Sequence, residues 1–265
     1  MASKFLAVLA LALFPALSIA AAIPEAPALP TTQVGDGASI VGGSAASAGQ
    51  FPYQLALLHG GSLFCGGVLL NAKTVLTAAH CSVDYAASDV SVRAGSLNYG
   101  SGGTVVKVSD ILVHPDYDAD TVNNDVAIWT LKDSLSTSST IGYATLPAQG
   151  SDPASGVSTT VSGWGLTSEG GSTLPTALRY VSVPVVSRDT CNTDYGAGTI
   201  TTNMFCAAAT GKDSCNGDSG GPITITSTGV LAGTVSWGQG CAEDSYPGVY
   251  SRIGNYVNWI NANLA

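Results

Sequence analysis

From Tyr53 onward the chain alternates short apolar runs with clusters of Gly, Ser, Asn and Asp. The runs read YQLALL, GVLLNAKTVLTAA, VSVRAG, VVKVSDILV, DVAIWTL, STTVSGWG, LRYVSVPVVS, GPITIT, GVLAGTVSWG and GVYSRI. They are rich in Val, Ile, Leu and Thr and are bounded by turn-forming residues, which is the pattern of strands. Many short strands on a chain with 32 glycines predict an all-β barrel or sandwich. One segment departs from this. In NYVNWINANLA, Val257, Ile260 and Leu264 recur at helical spacing behind Asn255, a residue type suited to an N-cap. A C-terminal helix is therefore predicted over about residues 255–265. Residues 21–39, AAIPEAPALPTTQVGDGAS, are Pro-rich and small and predict an extended segment with no packed core. The globular pattern starts at IVGG, residues 40–43.

The first 20 residues follow another pattern, MASKFLAVLALALFPALSIA. One basic residue, Lys4, precedes an apolar run from Phe5, and small residues close it. Ser18 and Ala20 suit cleavage after Ala20, with Ala22 as a second position. Pro15 interrupts the run, which favours a secretory signal over a membrane anchor. Export changes the reading of the six cysteines, Cys65, Cys81, Cys191, Cys206, Cys215 and Cys241. An even number in a secreted chain implies three disulfides, whose pairing spacing alone does not choose. There is no CxxC pair, and His59, His80 and His114 lack metal-ligand spacing, so neither metal nor cofactor is expected. The chain is long enough, at 265 residues with 45% hydrophobic, to bury a sizeable core. Lys and Arg total 9 against 18 Asp and Glu, a net charge of -9. That balance argues against nucleic acid or an anionic membrane as partner and favours cationic substrates. The sequence has no Asn-X-Ser/Thr sequon.

Candidate chemistry gathers in KDSCNGDSGGP, residues 212–222. Ser219 stands between Asp218 and Gly220 in a stretch that glycine makes sharply curved. Glycines let backbone N–H groups approach a ligand closely, as stabilising a developing oxyanion requires. A serine nucleophile also needs a base, and no histidine is nearby in sequence. LTAAHC sets His80 after a strand-like run and beside Cys81. NNDVAIWTL sets Asp125 at the head of a strand of buried character.

IVGG, TAAHC, NNDVAI, SGWG, DSCNGDSGGP, SWG and PGVY occur in that order, and with them residues 40–265 resemble the trypsin-like serine proteases of the chymotrypsin family. The resemblance implies two six-stranded antiparallel β-barrels, about 40–146 and 147–251, then a short C-terminal helix. It implies Ser219 as nucleophile, His80 as general base and acid, and Asp125 as the buried carboxylate that orients the histidine. The N–H groups of Gly217 and Ser219 would form the oxyanion hole. Asp213 would lie at the base of the primary specificity pocket and select Arg or Lys. Ser214 would add a hydroxyl acceptor for lysine, and Gly238 and Gly248 would leave room for the long side chain. Ser236, Trp237 and Gly238 would bind an extended substrate by strand pairing, with Trp237 at the pocket entrance. Asp218 would pair with the α-amino group of Ile40 once the chain is cut before it, making residues 21–39 an activation propeptide. A free α-amine has a pKa of about 8; such pairing would raise it, so activity should rise as His80 loses its proton and fall at alkaline pH.

The same resemblance implies the pairs Cys65–Cys81, Cys191–Cys206 and Cys215–Cys241, a lean set typical of microbial or fungal trypsins. It implies a secreted, extracellular monomer whose partners are protein or peptide substrates with Arg or Lys and proteinaceous serine protease inhibitors. An inactive binding homologue would lack a triad member, and an esterase for small esters would not need Asp213 or SWG. The chain departs from the family in three places. Ser39 precedes IVGG where Lys or Arg is usual, and no Lys or Arg lies between Lys4 and Lys73, so self-activation is not expected. No carboxylate occurs between Asp89 and Asp110, so the loop that holds calcium in animal trypsins should hold none. Leu63 stands where some zymogens carry a histidine that holds the proenzyme inactive.

Overall fold

Burial alternates residue by residue along Arg179–Val186: Arg179, Val181, Val183 and Val185 face inward while Ser182 and Pro184 face out. A strand of this period must pack one face on a core. The structure, a computed structural model, describes residues 40–243 and 245–265. Residues 1–20 and 21–39, expected to be a signal and a propeptide, lie outside the described residues.

The strands are β1 (Ser44–Ala45), β2 (Gln54–His59), β3 (Ser62–Leu69), β4 (Thr74–Thr77), β5 (Val90–Ala94), β6 (Thr104–Val113), β7 (Ala127–Leu131), β8 (Ser158–Gly163), β9 (Arg179–Val186), β10 (Met204–Ala207), β11 (Pro222–Ile225), β12 (Leu231–Trp237) and β13 (Gly248–Arg252). Two helices, α1 (Arg188–Tyr195) and α2 (Val257–Ala262), complete the elements among the described residues. The first six strands after β1 close an antiparallel barrel in the order β2-β3-β4-β7-β6-β5. The second barrel runs β8-β9-β10-β13-β12-β11 and closes through β11 and β8. The fold is thus all-β, two six-stranded barrels with a short C-terminal helix. Leu55, Leu57, Leu69, Val75, Val92 and Trp129 fill the first barrel. Val161, Val181, Val183, Phe205, Ile223 and Tyr250 fill the second. Each fully buried aliphatic side chain of this kind contributes roughly 1.5–3 kcal/mol.

The two ends of the described residues pack across the expected partition. Ile40 is fully buried in the core of the second barrel, and β1 pairs with β9, so the segment before β2 joins the second barrel. At the other end, Ile253, Tyr256 and Ile260 pack on Val68, Leu76, Val126 and Ile128 of the first barrel. The predicted C-terminal helix is present but shorter, and Asn255 does not cap it. A 3-10 turn at Ile253–Asn255 leads into α2, and the Asn255 amide donates instead to Thr202 O and Asn203 Oδ1. Leu264 is exposed, beyond the end of the helix. α1 was not legible in the apolar pattern because Cys191 is its only buried residue. It is held by its Ser187 cap, whose hydroxyl accepts from Thr190 N at 3.0 Å, and by the Cys191–Cys206 disulfide. Cys65–Cys81 and Cys215–Cys241 are the other two bridges. Each closes a loop of 15 to 26 residues, a constraint worth roughly 3 kcal/mol in chain-entropy terms.

Candidate active site

β4 and β7 run antiparallel with Thr77 opposite Ala127. Extending both strands past this pair brings the residues just after Thr77 to those just before Ala127, which places His80 beside Asp125. The segment between is packed solid: Ala78, Ala79 and Val126 are fully buried. Ser82 ties the turn down, donating from its hydroxyl to Ala78 O and accepting from the Trp129 indole, and Cys65–Cys81 pins it to β3.

The Asp125 carboxylate is enclosed and accepts three hydrogen bonds. His80 N donates to Oδ1 at 2.9 Å, His80 Nδ1 to Oδ2 at 2.8 Å, and the Ser236 hydroxyl to Oδ2 at 2.5 Å. A carboxylate only accepts, so Nδ1 carries the proton. In the neutral ring Nε2 is then left with its lone pair, on the partly exposed edge of the imidazole. Ser251 donates to the Asp125 carbonyl at 2.8 Å, so strands β12 and β13 of the second barrel both hold a residue of the first. Neither hydroxyl contact was readable from the sequence, where Ser236 stood out only for its backbone.

Ser219 enters from the second barrel, on the loop between β10 and β11. Gly66 N donates to Ser219 O at 2.7 Å, joining the loop to β3. Gly220, at φ 75°, makes the approach possible, because a Cβ there would lie 2.1 Å from Thr77 Oγ1 and 2.7 Å from Gly66 O. No hydrogen bond joins Ser219 Oγ to His80 Nε2 among the described residues; in a site without substrate such bonds are often long and tighten on binding. The loop's N–H groups fall into two sets. Those of Asp218, Gly220 and Gly221 donate to Cys215 O, Val235 O and Asp218 O. Those of Gly217 and Ser219 have no acceptor among the described residues, and so remain available to an incoming oxygen.

Asp218 points away from this surface and is fully buried. Gly165 N and Cys215 N donate to its two oxygens at 2.7 and 3.0 Å. The two glycines of SGWG explain themselves here, since a Cβ on Gly163 or Gly165 would strike this carboxylate at 2.1 or 2.2 Å. Burial pushes the carboxyl up to about 7, and no cation pairs with it among the described residues.

Beside Ser219 opens a narrow recess lined by Asp213, Ser214, Ser236, Trp237, Gly238 and Gly248 among others. Asp213 is 3% exposed. Ser214 N and Ala242 N donate to its oxygens at 2.8 and 3.1 Å. Burial nevertheless raises its carboxyl to about 6, and it too lacks a cationic partner among the described residues. Gly248 must stay without a side chain, because a Cβ would stand 2.6 Å from Asp213 Oδ1. Ser214 shares its hydroxyl with Tyr250 OH at 3.1 Å, a contact the sequence did not reveal.

Metal-type ligands meet once among the described residues, at Cys65, His80 and Cys81, but both sulfurs are joined in the disulfide and offer no thiolate. In the loop between β5 and β6, carbonyls of Tyr99 and Gly102 accept from the Arg93 guanidinium. No helix among the described residues is long and apolar enough to cross a membrane.

Residues 40–260 match the family model described as Trypsin. Trypsin Blo t 3 of Blomia tropicalis is 47% identical over 260 residues, covering 94% of this chain and 96% of that protein. Trypsin alpha of Drosophila melanogaster is 48% identical over 223 residues, 83% of this chain and 86% of its own length. Trypsin beta of Drosophila erecta is 46% identical over 226 residues, 84% and 88% respectively.

Proposed function

Because the chain belongs to the trypsin family of chymotrypsin-like serine endopeptidases, we propose that it is a secreted enzyme, made as a zymogen, that cuts peptide bonds after Arg or Lys. The observation that carries the specificity is Asp213. Its carboxylate is buried at the recess beside Ser219, is raised to about 6, and has no cation beside it among the described residues. A buried carboxylate left unpaired is costly, and a guanidinium or ammonium entering the recess would relieve that cost.

In the mechanism, Ser219 Oγ attacks the carbonyl carbon while His80 Nε2 takes its proton. The imidazolium is stabilised by Asp125, which holds Nδ1. The carbonyl oxygen, now negative, accepts from Gly217 N and Ser219 N, donors of a kind typically worth ~2.7–4 kcal/mol each. Collapse of the adduct breaks the C–N bond, and His80 returns the proton to the leaving amine. Water, deprotonated by the same ring, then hydrolyses the acyl-enzyme. The substrate's extended backbone runs along Ser236–Gly238 at the end of β12.

Activation in this reading is cleavage before Ile40. The new ammonium group supplies Asp218 with the cation it lacks, and the buried position of the Ile40 side chain in the second core fits that arrangement. With Ser39 before the cut, a protease of Arg/Lys specificity does not make it, so another protease does.

The test compares Arg- and Phe-based amide substrates with the cleaved enzyme and its Ser219→Ala and Asp213→Ser variants. Arg preference that disappears in Asp213→Ser, with all turnover gone in Ser219→Ala, is the expected result. Turnover surviving Ser219→Ala would overturn the mechanism, and unchanged Arg preference in Asp213→Ser would overturn the specificity.

A further inference from the structure

A second, open recess shares Trp237 with the pocket of Asp213. Its walls are Asp120, Thr121 and Val122 from the loop before Asp125, and Gly198 and Thr199 from the loop after α1. Trp237 lines both recesses, so a peptide strand that places one side chain against Asp213 continues past the second. Residues of an extended strand advance about 3.3 Å each with side chains alternating in direction. The wall is therefore met a few residues before the scissile bond.

The loop that forms this wall is held rigidly and in an unusual shape. Asp118 and Asn123 bridge across it, and Val122 and Asn124 adopt φ of 52° and 57°. Asn123 accepts from the Thr201 hydroxyl at 2.9 Å, and Asn124 accepts from Tyr256 OH and the Asn203 amide. The loop carries three aspartates, but they are not equivalent. Asp118 is engaged locally, accepting from Asp120 N at 2.9 Å, and neither it nor Asp116 lines the recess. Asp120 is exposed at the recess, and its carboxylate has no hydrogen-bond or ion-pair partner among the described residues. No Lys, Arg or His lines the recess. The indole, with the edge of Tyr195 packed against it at 4.9 Å, gives an apolar floor.

Building on the trypsin-like specificity proposed above, we propose that this recess is a second cation-selective subsite, in which Asp120 and Trp237 together favour Lys or Arg two to four residues before the bond that is cut. An aliphatic stem lies on the indole while the cationic head reaches the carboxylate or the ring face. The preferred substrates are then segments with clustered basic residues.

The experiment uses the cleaved enzyme and peptide amides with a constant residue at the cut. The second, third and fourth residues before the bond are varied in turn among Lys, Leu and Glu. At one of these positions Lys exceeds Leu in kcat/KM by about five- to tenfold, mainly through KM, with Glu lowest; this is the size expected of an exposed ion pair and a cation–π contact together. The Lys/Leu ratio falls by about two- to fivefold in Asp120→Asn and when salt is raised. In Asp120→Lys, Glu becomes preferred over Lys. In Asp116→Asn the ratio stays as in the parent. Preference for Leu at all three positions, or a Lys/Leu ratio unmoved in both Asp120 variants, overturns the proposal. Each ratio is taken within one variant, so an overall change in turnover does not blur it. If the enzyme proves to cut after Phe rather than Arg, the specificity assigned to Asp213 fails, and the same comparison run on Phe-ended peptides still decides the role of Asp120.

Discussion

Cutting the chain before Ile40 is expected to change how its stability depends on pH. In the structure Asp218 is fully buried with no cation beside it among the described residues, and burial raises its carboxyl from 3.8 to about 7. Between those values the folded chain holds a proton that the unfolded chain has released. Stability contributed in this way is present at low pH and is lost as pH rises from about 4 to about 7. A tenfold difference in proton affinity between the folded and unfolded chain is worth ~1.4 kcal/mol, so Asp218 accounts for a loss of ~4 kcal/mol across that window. Asp213, raised from 3.8 to about 6 by the same cause, adds a loss of ~3 kcal/mol between about pH 4 and 6. After the cut, the Ile40 ammonium keeps Asp218 ionised and removes its share, while the share of Asp213 remains. The new α-amine, with an ordinary pKa of about 8, stays mostly protonated over the range used, and the groups common to both forms largely cancel in the difference. The assay is urea unfolding of Ser219→Ala protein, which does not digest itself, before and after cleavage by a second protease, from pH 4.5 to 7.5. The cleaved form should gain on the uncleaved one by ~3 kcal/mol as pH rises through this range, the part of the full window that lies above pH 4.5. Parallel pH profiles in the two forms would refute the reasoning.

Three further outcomes are expected. A small amidinium inhibitor should bind with a Ki that rises about tenfold per pH unit below about 6, where Asp213 takes up its proton, and lose this dependence in Asp213→Ser; a flat Ki from pH 5 to 7 would count against a charged pocket base. Gly220→Ala should destabilise the protein by several kcal/mol or displace the Ser219 loop, because the Cβ meets Thr77 and backbone of Gly66 and the backbone sits at φ 75°; melting temperature and turnover measure it. Ser39→Arg should yield a proenzyme that converts itself, seen as an Ile40 N-terminus appearing on incubation with mature enzyme, whereas the parent should show none.

The strands were legible where burial alternates or runs unbroken, as in Arg179–Val186 and Gln54–His59, because one solvent-facing or two buried sides leave a clear period. α1 left no such trace. Its stability comes from a serine cap and a disulfide, and with one buried residue it has no apolar stripe to read. The site was legible as motifs but not as geometry. His80 and Asp125 are 45 residues apart, and only the register of β4 against β7 makes them neighbours. Ser251 and Tyr250 looked like ordinary strand residues, since nothing local marks a hydroxyl that will meet Asp125 or Ser214. The same holds for the glycines of SGWG, whose reason is a carboxylate more than fifty positions away.

The two ends of the described chain are exchanged between the barrels. Residues 40–45 belong to the second, while α2 and Ala265 fasten onto the first, where the Ala265 carbonyl accepts from Asn71 and its N–H donates to Thr74. Neither barrel is therefore a continuous piece of sequence. A break anywhere in the connection between β7 and β8 would give two fragments that each carry a part the other requires, so they should refold only as a pair. The same interlacing resists any motion that would part the barrels like a hinge, and it keeps Ser219 and His80, which arise on different barrels, at a fixed separation.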